Sequence, residues 1–579
     1  MPRFPTFLLP AAGVLLFFAA PVFAGDEILP VSEIRAGMKG YGLTVFEGTR
    51  IERFDVEVVG VLRNFEPHMD LIVVRCDHPL LEHTGICGGM SGSPVYLEGK
   101  LVGAASRFFK LFPKDLLAGV TPIERMLEDA HRPLRPEAAA APPPPNAPKK
   151  AGAAIGFERI PAPLFVSGLG PRAQRALAEG LEGLGLDVQL VAGGVGGGAA
   201  GDWDTPDLDL GPGSAFGVQL VRGDLDISSG GTVTWREGDR ILGFGHPFFG
   251  AGAFGCPVTT ANVFTVMSSQ QRSDKMQVTG REMGALEIDR ISCVAGRLGK
   301  KVEMLPVTLR TRNLSTDARE TFRFESIRHP LFTPLFLNVS LLGALESAES
   351  TMESSTARVR VSMRMRGREE PVVLEDTVSE PAGIGTGRPG TALLRLWNNP
   401  FGELGCESVE ADVEVLHERK TAEIQAVWVD QAEAAAGEEV TLVVLLRPYA
   451  GDAVRREVRF QLPANLPPET YSIEVSGGRE TAPDAAEPES VEGLLSYLQA
   501  QYRGSDLVTV VELGTIGTRQ EGKVLRKLPL SVFGTLLSAE SAGVTIAPDT
   551  LRVVTPTEYV LSGKKSVNLK IRPPRVTGQ

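Results

Sequence analysis

The sequence is short of several features that would have placed it in a familiar class. Positive charge is in deficit: 59 Lys and Arg stand against 71 Asp and Glu, a formal net charge of -12. That balance removes the electrostatic basis for a nucleic-acid or anionic-lipid partner. Cysteine is scarce and odd in number, so the five residues Cys76, Cys87, Cys256, Cys293 and Cys406 cannot form a complete internal disulfide framework. Pairing of Cys76 with Cys87 stays open, because spacing along a chain does not fix geometry. No run beyond the N-terminus approaches the ~20 apolar residues of a spanning helix. The stretch 331–345 is too short and carries Pro334 and Asn338.

Three nucleotide or metal patterns are also incomplete. The glycine-rich stretch 193–201 lacks the following Lys-Ser/Thr of a phosphate loop and reads as a connection. Gly385-Thr-Gly387-Arg-Pro-Gly390 has dinucleotide-fingerprint spacing, but no strand leads directly into it and Pro389 interrupts it. Cys76, His78, His83 and Cys87 are zinc-type donors at a spacing that matches no familiar zinc site, and they read better as a core cysteine and loop histidines. No cofactor and no metal is expected.

What is present begins with an export signal over 1–24: Arg3, an apolar run from Phe7 to Ala20, and Val22-Phe-Ala24 as a small-residue cleavage site. The expected location is periplasmic or extracellular, with a mature start near Gly25. No cysteine follows the cleavage site to carry a lipid, and an uncleaved N-terminal membrane anchor is the alternative. At 579 residues the chain has room for roughly four domains.

The periodicity is mainly that of β-structure. Phe54 to Leu62 alternates before turning continuously apolar, and Leu71-Ile-Val-Val74 is apolar throughout. Gly37-Met-Lys-Gly-Tyr-Gly42 suggests turns, and Thr121-Pro-Ile-Glu124 a capped helix start. The Ala/Pro-rich stretch 132–154 reads as an extended linker. Beyond it come a strand at Pro163-Leu-Phe-Val166, a helix with Leu177, Leu181 and Leu184 on one face, and strands leading to His246. Val359, Val361, Met363 and Met365 alternate with arginines, a strand with a solvated basic face. Strands from Glu423 onward are spaced as in an immunoglobulin-like β-sandwich.

Chemistry concentrates in Gly85-Ile-Cys-Gly-Gly-Met-Ser-Gly-Ser-Pro-Val-Tyr96. It sets Ser91 in a glycine-rich turn between strands, where a nucleophilic hydroxyl is exposed and backbone N–H groups converge. The surrounding stretch from Asp77 to Ala104, with its His-Pro-Leu-Leu lead-in, resembles the active-site region of the SpoIVB family of serine peptidases. Gly119-Val-Thr-Pro-Ile-Glu-Arg-Met-Leu127 is similar to it as well, and so are the Gly-His246-Pro turn and Glu287-Ile-Asp-Arg-Ile291.

The resemblance implies a chymotrypsin-like double β-barrel with Ser91 as nucleophile, His246 as base and Asp77 as the orienting carboxylate. The Gly89 and Ser91 N–H groups would form the oxyanion hole. In that family the histidine precedes the serine; here the order is exchanged, and an extra residue separates Asp77 from Pro79. The divisions expected are a serine-bearing half at 25–131, a histidine-bearing half at 155–345, a β-rich connection at 346–420, an immunoglobulin-like sandwich at 421–480 and an α+β region at 481–579. The expected partner is a protein or peptide substrate. The competing reading is a catalytically silent peptidase-fold scaffold.

Overall fold

The computed structural model describes residues 27–109, 115–133, 156–186, 188–192, 204–348, 355–379, 387–485, 487–520, 523–525, 532 and 545–573. The stretch 1–24 expected to be an export signal, nearly all of the Ala/Pro-rich stretch 132–154 and the glycine-rich stretch 193–201 lie outside them.

The first seven strands are β1 (Lys39–Val45), β2 (Ile51–Glu66), β3 (Met69–Asp77), β4 (Ser93–Leu97), β5 (Lys100–Phe109), β6 (Leu117–Pro122) and β7 (Phe157–Arg159). Six of them close a barrel through the antiparallel pairings β1-β2-β3-β6-β5-β4 and back to β1. Closure leaves no exposed sheet edges, and the inward positions of successive strands form one core that includes Val56, Val58, Ile72, Val74, Val95, Val102 and Val120. The strand β7 adds to β5 beyond the end of β4. Two helices interrupt these strands in sequence, α1 (Pro79–Thr84) between β3 and β4 and α2 (Ile123–His131) between β6 and β7.

Gly40 and Gly42 lie inside β1 and not in turns. A side chain at Gly42 would meet the Phe54 ring at 2.1 Å, and one at Gly40 the Tyr96 carbonyl at 1.9 Å. Close packing inside a narrow barrel, and not chain reversal, selects glycine there. Of the three glycines, Gly37 alone adopts the left-handed conformation, with φ +84°.

The second barrel uses β10 (Ala215–Gly223), β11 (Asp226–Glu237), β12 (Arg240–Gly243), β13 (Gly252–Met267), β14 (Asp274–Arg290) and β15 (Cys293–Leu298). Its antiparallel circuit is β10-β13-β14-β15-β12-β11, closed by β11 on β10. The strands β8 (Leu164–Ser167) and β9 (Leu190–Ala192) extend it beyond β11. The amphipathic face read at Pro171–Leu184 forms the helix α3 (Pro171–Gly183), burying Leu177 and Leu181.

The same sheet continues through Leu305–Asn313, Arg319–Ser326, Cys406–Leu416, Thr356–Met365 and Val372–Ser379. The stretch 346–420 is therefore an extension of the second sheet and not a separate connection, because Leu305–Asn313 pairs in parallel with Cys406–Leu416. The interrupted apolar run forms the helix Phe332–Ala348, packed into that core. No helix among the described residues is long and apolar enough to cross a membrane.

Beyond residue 420 two sheets face one another around Ile424, Leu442, Val444, Ile473, Val475 and Leu569. One is built from Thr421–Val429, Glu439–Pro448, Val454–Gln461 and Val560–Ser562, and the other centres on Thr470–Gly477, paired with Lys564–Arg572 and Asp506–Gln520. The division expected at 480 falls within one sandwich, since its middle strand takes both partners from beyond residue 505. The pairings do not single out an immunoglobulin topology.

Candidate active site

Ser91 follows a turn whose backbone is pinned from behind. Gly89 and Gly92 have φ of +87° and +95°, conformations that strain any other residue. The Gly88 carbonyl accepts from Lys275 N at 3.0 Å, and the Met90 carbonyl from Ser93 N at 2.9 Å and Ser93 Oγ at 2.7 Å. In a planar trans peptide the N–H points opposite to the C=O, so these anchors turn the N–H groups of Gly89 and Ser91 away from the barrel framework. Among the described residues neither N–H donates to another group, while their neighbours Gly88, Met90, Gly92 and Ser93 all do. These are the two donors expected for an oxyanion.

His246 ends a second tight turn directly after β12, in which Phe244 and Gly245 have φ of +66° and +68°. The two turns are brought together by polar contacts from barrel to barrel. Thr232 donates from N to the Ser91 carbonyl at 2.8 Å and from Oγ1 to the Gly89 carbonyl at 3.0 Å. Thr234 Oγ1 donates to the Gly92 carbonyl at 2.7 Å, and Thr121 Oγ1 to the Gly245 carbonyl at 2.7 Å. That last bond explains why Thr121 does not cap α2: it is the penultimate residue of β6, and Pro122 takes the cap position without a side-chain bond. An apolar cluster of Tyr96, Leu101, Ile123 and Met126 against Trp235, Leu242 and Cys293 seals the same seam.

The outcome is a Ser91 Oγ to His246 Nε2 separation of 2.7 Å across 155 positions of sequence. His246 Nδ1 lies 2.7 Å from the Pro247 carbonyl. A carbonyl only accepts, so the neutral ring carries its hydrogen on Nδ1 and turns the Nε2 lone pair to the serine hydroxyl. Burial, then the positive charges of Arg107 and Arg159, push the imidazole pKa down to about 3. The ring is thus a neutral acceptor at physiological pH.

Asp77 is not brought to this imidazole. It is exposed at the end of β3, opposite Asp55 in the ladder, and no hydrogen bond joins it to His246. The place of the carboxylate on Nδ1 is taken by Pro247 O. The buried carboxylate nearest in role is Asp289, in the Glu287–Ile291 stretch, whose part the sequence did not reveal. Its oxygens accept from the N–H groups of Phe248 at 2.8 Å, Phe249 at 2.7 Å, Gly250 at 2.8 Å and Ala251 at 3.2 Å. Four consecutive donors wrap one carboxylate, which fixes the loop that presents Pro247 O to the ring. Burial nonetheless raises the Asp289 pKa, those bonds opposing it.

Lys275 was likewise not singled out. It is fully buried, donates from Nζ to Thr44 Oγ1 at 2.7 Å and packs beneath Gly89, where a Cβ would meet its Cδ at 3.0 Å. Burial pushes its pKa down to about 8. The zinc-type donors do not form a centre: His78 Nδ1 caps α1 by accepting from Leu80 N at 3.2 Å. All five cysteines are buried free thiols, Cys76 and Cys87 included. Among the described residues no group of three or more His, Cys, Asp or Glu is arranged to hold a metal ion.

Residues 26–127 match the SpoIVB peptidase S55 family. No curated protein and no solved structure matches the chain. The matched segment contains Ser91 and the Gly89 and Ser91 N–H groups and ends inside α2, so His246 and Asp289 lie beyond it.

Proposed function

We propose that the chain is an exported serine endopeptidase acting on protein substrates in the cell envelope. The SpoIVB-type match supports a serine peptidase, and the observation that carries the reading is the 2.7 Å contact between Ser91 Oγ and a neutral His246 Nε2. In the proposed reaction Oγ forms a bond to the substrate carbonyl carbon while its proton passes to Nε2. The oxyanion takes hydrogen bonds from the Gly89 and Ser91 N–H groups. The imidazolium then protonates the departing amine as the C–N bond breaks, and water hydrolyses the acyl-enzyme by the same steps in reverse order. Asp289 acts here as a positioning residue, through the Pro247 carbonyl.

The scaffold reading draws on one observation: Ser91 is 0% and His246 3% exposed, so solvent does not reach the pair in this conformation. Prolonged incubation with a fluorophosphonate, followed by peptide mass spectrometry, separates the two. Label on Ser91 that disappears in Ser91→Ala supports the peptidase, and its absence from every preparation supports the scaffold. Export is tested by the N-terminus of protein from the native host, expected near Gly25; a pool that retains Met1 counts against it.

A further inference from the structure

The pair is covered by the chain itself. After the linker, β7 runs antiparallel to the end of β5 with Phe109 opposite Phe157, Phe108 opposite Glu158 and Arg107 opposite Arg159. Ile160 N then donates to the Ser106 carbonyl at 2.8 Å, the Ile160 side chain is fully buried, and the Ile160 carbonyl oxygen lies 3.1 Å from Ser91 Oγ. The next residues leave barrel one for barrel two, where Ser229 Oγ donates to the Pro163 carbonyl at 2.8 Å and β8 joins β11. One extended strand thus crosses the cleft between the barrels, hydrogen-bonded to a strand edge, with a single carbonyl at the nucleophile. A peptide substrate of a two-barrel serine peptidase has to adopt this course, because strand addition aligns the backbone while one side chain enters a pocket beside the nucleophile.

We propose that the segment Phe157–Pro161 is a built-in substrate mimic that occupies the substrate strand. Ile160 holds the position of the residue whose carbonyl is attacked. The inference rests on the peptidase reading for its chemistry but concerns peptide binding, which can be measured apart from turnover. It specifies the substrate class: an extended segment with a branched aliphatic residue before the scissile bond and, three positions upstream, an aromatic residue. There Phe157 sits edge-on to Phe109 at 5.3 Å and to Phe65 at 6.5 Å between ring centroids.

The Ile160–Pro161 bond survives because the carbonyl oxygen, and not the carbon, faces Oγ. Among the described residues that oxygen receives nothing from the Gly89 or Ser91 N–H groups. The segment is also displaceable. The strand β7 ends the sheet and pairs over three residues, and Arg159 stands opposite Arg107, a like-charge pair that opposes docking.

The test uses the full chain, with Ile160→Asp, which sets a carboxylate in a buried site, and Ile160→Gly, which only removes the anchor. Binding of a fluorescent Phe-Glu-Arg-Ile peptide is measured by anisotropy in the Ser91→Ala background, and the rate of fluorophosphonate labelling with Ser91 in place. If the segment covers the site at least nine-tenths of the time, both substitutions should raise peptide affinity and labelling rate by about ten-fold or more. The peptide should slow labelling of the variants, and Phe-Glu-Arg-Asp should not. Peptide binding gained with no labelling in any variant would leave the mimic standing and remove the peptidase reading. Fast labelling, equal in wild type and variants and indifferent to the peptide, would keep the peptidase and overturn the mimic. Equal affinity of the peptide for all three proteins overturns it too.

Discussion

The residue that decides how this site works is the one on the far side of the imidazole. A carboxylate there would both orient the ring and stabilise the imidazolium; a backbone carbonyl does the first well and the second weakly. The four N–H groups closed around Asp289 tie its carboxyl to Nδ1 from one peptide away, through the loop and not through the ring. Asp289→Ala should therefore lower kcat by about 100-fold through misplacement of His246 while changing KM little, whereas Asp77→Asn, at an exposed strand end, should stay within about two-fold of wild type. Steady-state kinetics on a peptide with isoleucine before the scissile bond checks both.

The depressed pKa of His246 has its own signature. In the unfolded chain the side chain takes up a proton near pH 6.5, but in the folded protein not until about 3. Its contribution to stability is present above about pH 6.5 and is lost as pH falls toward 3, by about 1.4 kcal/mol per pH unit at most. The first thermal transition of wild type should accordingly fall more steeply between pH 6.5 and 4 than that of His246→Asn. His329, pushed down to about 4 by burial, is common to both proteins and cancels in the comparison.

Among the elements, the two turns matter more than the strands they end. Gly92 has φ +95° and no room for a side chain: a Cβ would lie 2.0 Å from the Thr232 carbonyl oxygen and 2.6 Å from Phe244 N, both backbone atoms of the other barrel. Gly37, with φ +84°, has nothing within 4 Å. Gly92→Ala should cost more than ~4 kcal/mol or prevent the barrels from docking, and Gly37→Ala about 1–2 kcal/mol for backbone strain alone, as thermal midpoints would show. The difference between the two isolates close approach of the barrels from conformational preference.

The order of the two halves along the chain is neutral for the chemistry of the whole molecule. Neither barrel holds both reacting groups, and the Thr232, Thr234 and Thr121 contacts that join them are indifferent to which barrel is synthesised first. Ser91→Ala, His246→Ala and the double variant should lose nearly the same activity, since the pair acts as a unit. Losses that multiply would show that the two turns work independently.

The sequence by itself determined the strand-rich class, the serine turn and the histidine turn. Those depend on local requirements: alternation for half-buried strands, glycine for positive φ, a short apolar run before each turn. It also indicated α3, through Leu177 and Leu181, and the solvated face of Thr356–Met365, where Val359, Val361 and Met363 are buried and the intervening arginines exposed. Tertiary structure alone decided the rest. That Asp289 and not Asp77 serves the His246 loop follows from β14 running beside that loop, with partners about forty positions away. The Ile160 carbonyl reaches Ser91 because β7 pairs with the end of β5, a contact sixty-nine positions long that no local pattern marks. The glycines of β1 misled as turns because their reason lies in Phe54 and Tyr96 across the sheet. The C-terminal sandwich takes the partners of Thr470–Gly477 from strands up to a hundred residues downstream. In each case the deciding free energy comes from packing and hydrogen bonds between residues far apart in sequence, and only a closed barrel or a paired sheet brings those residues together.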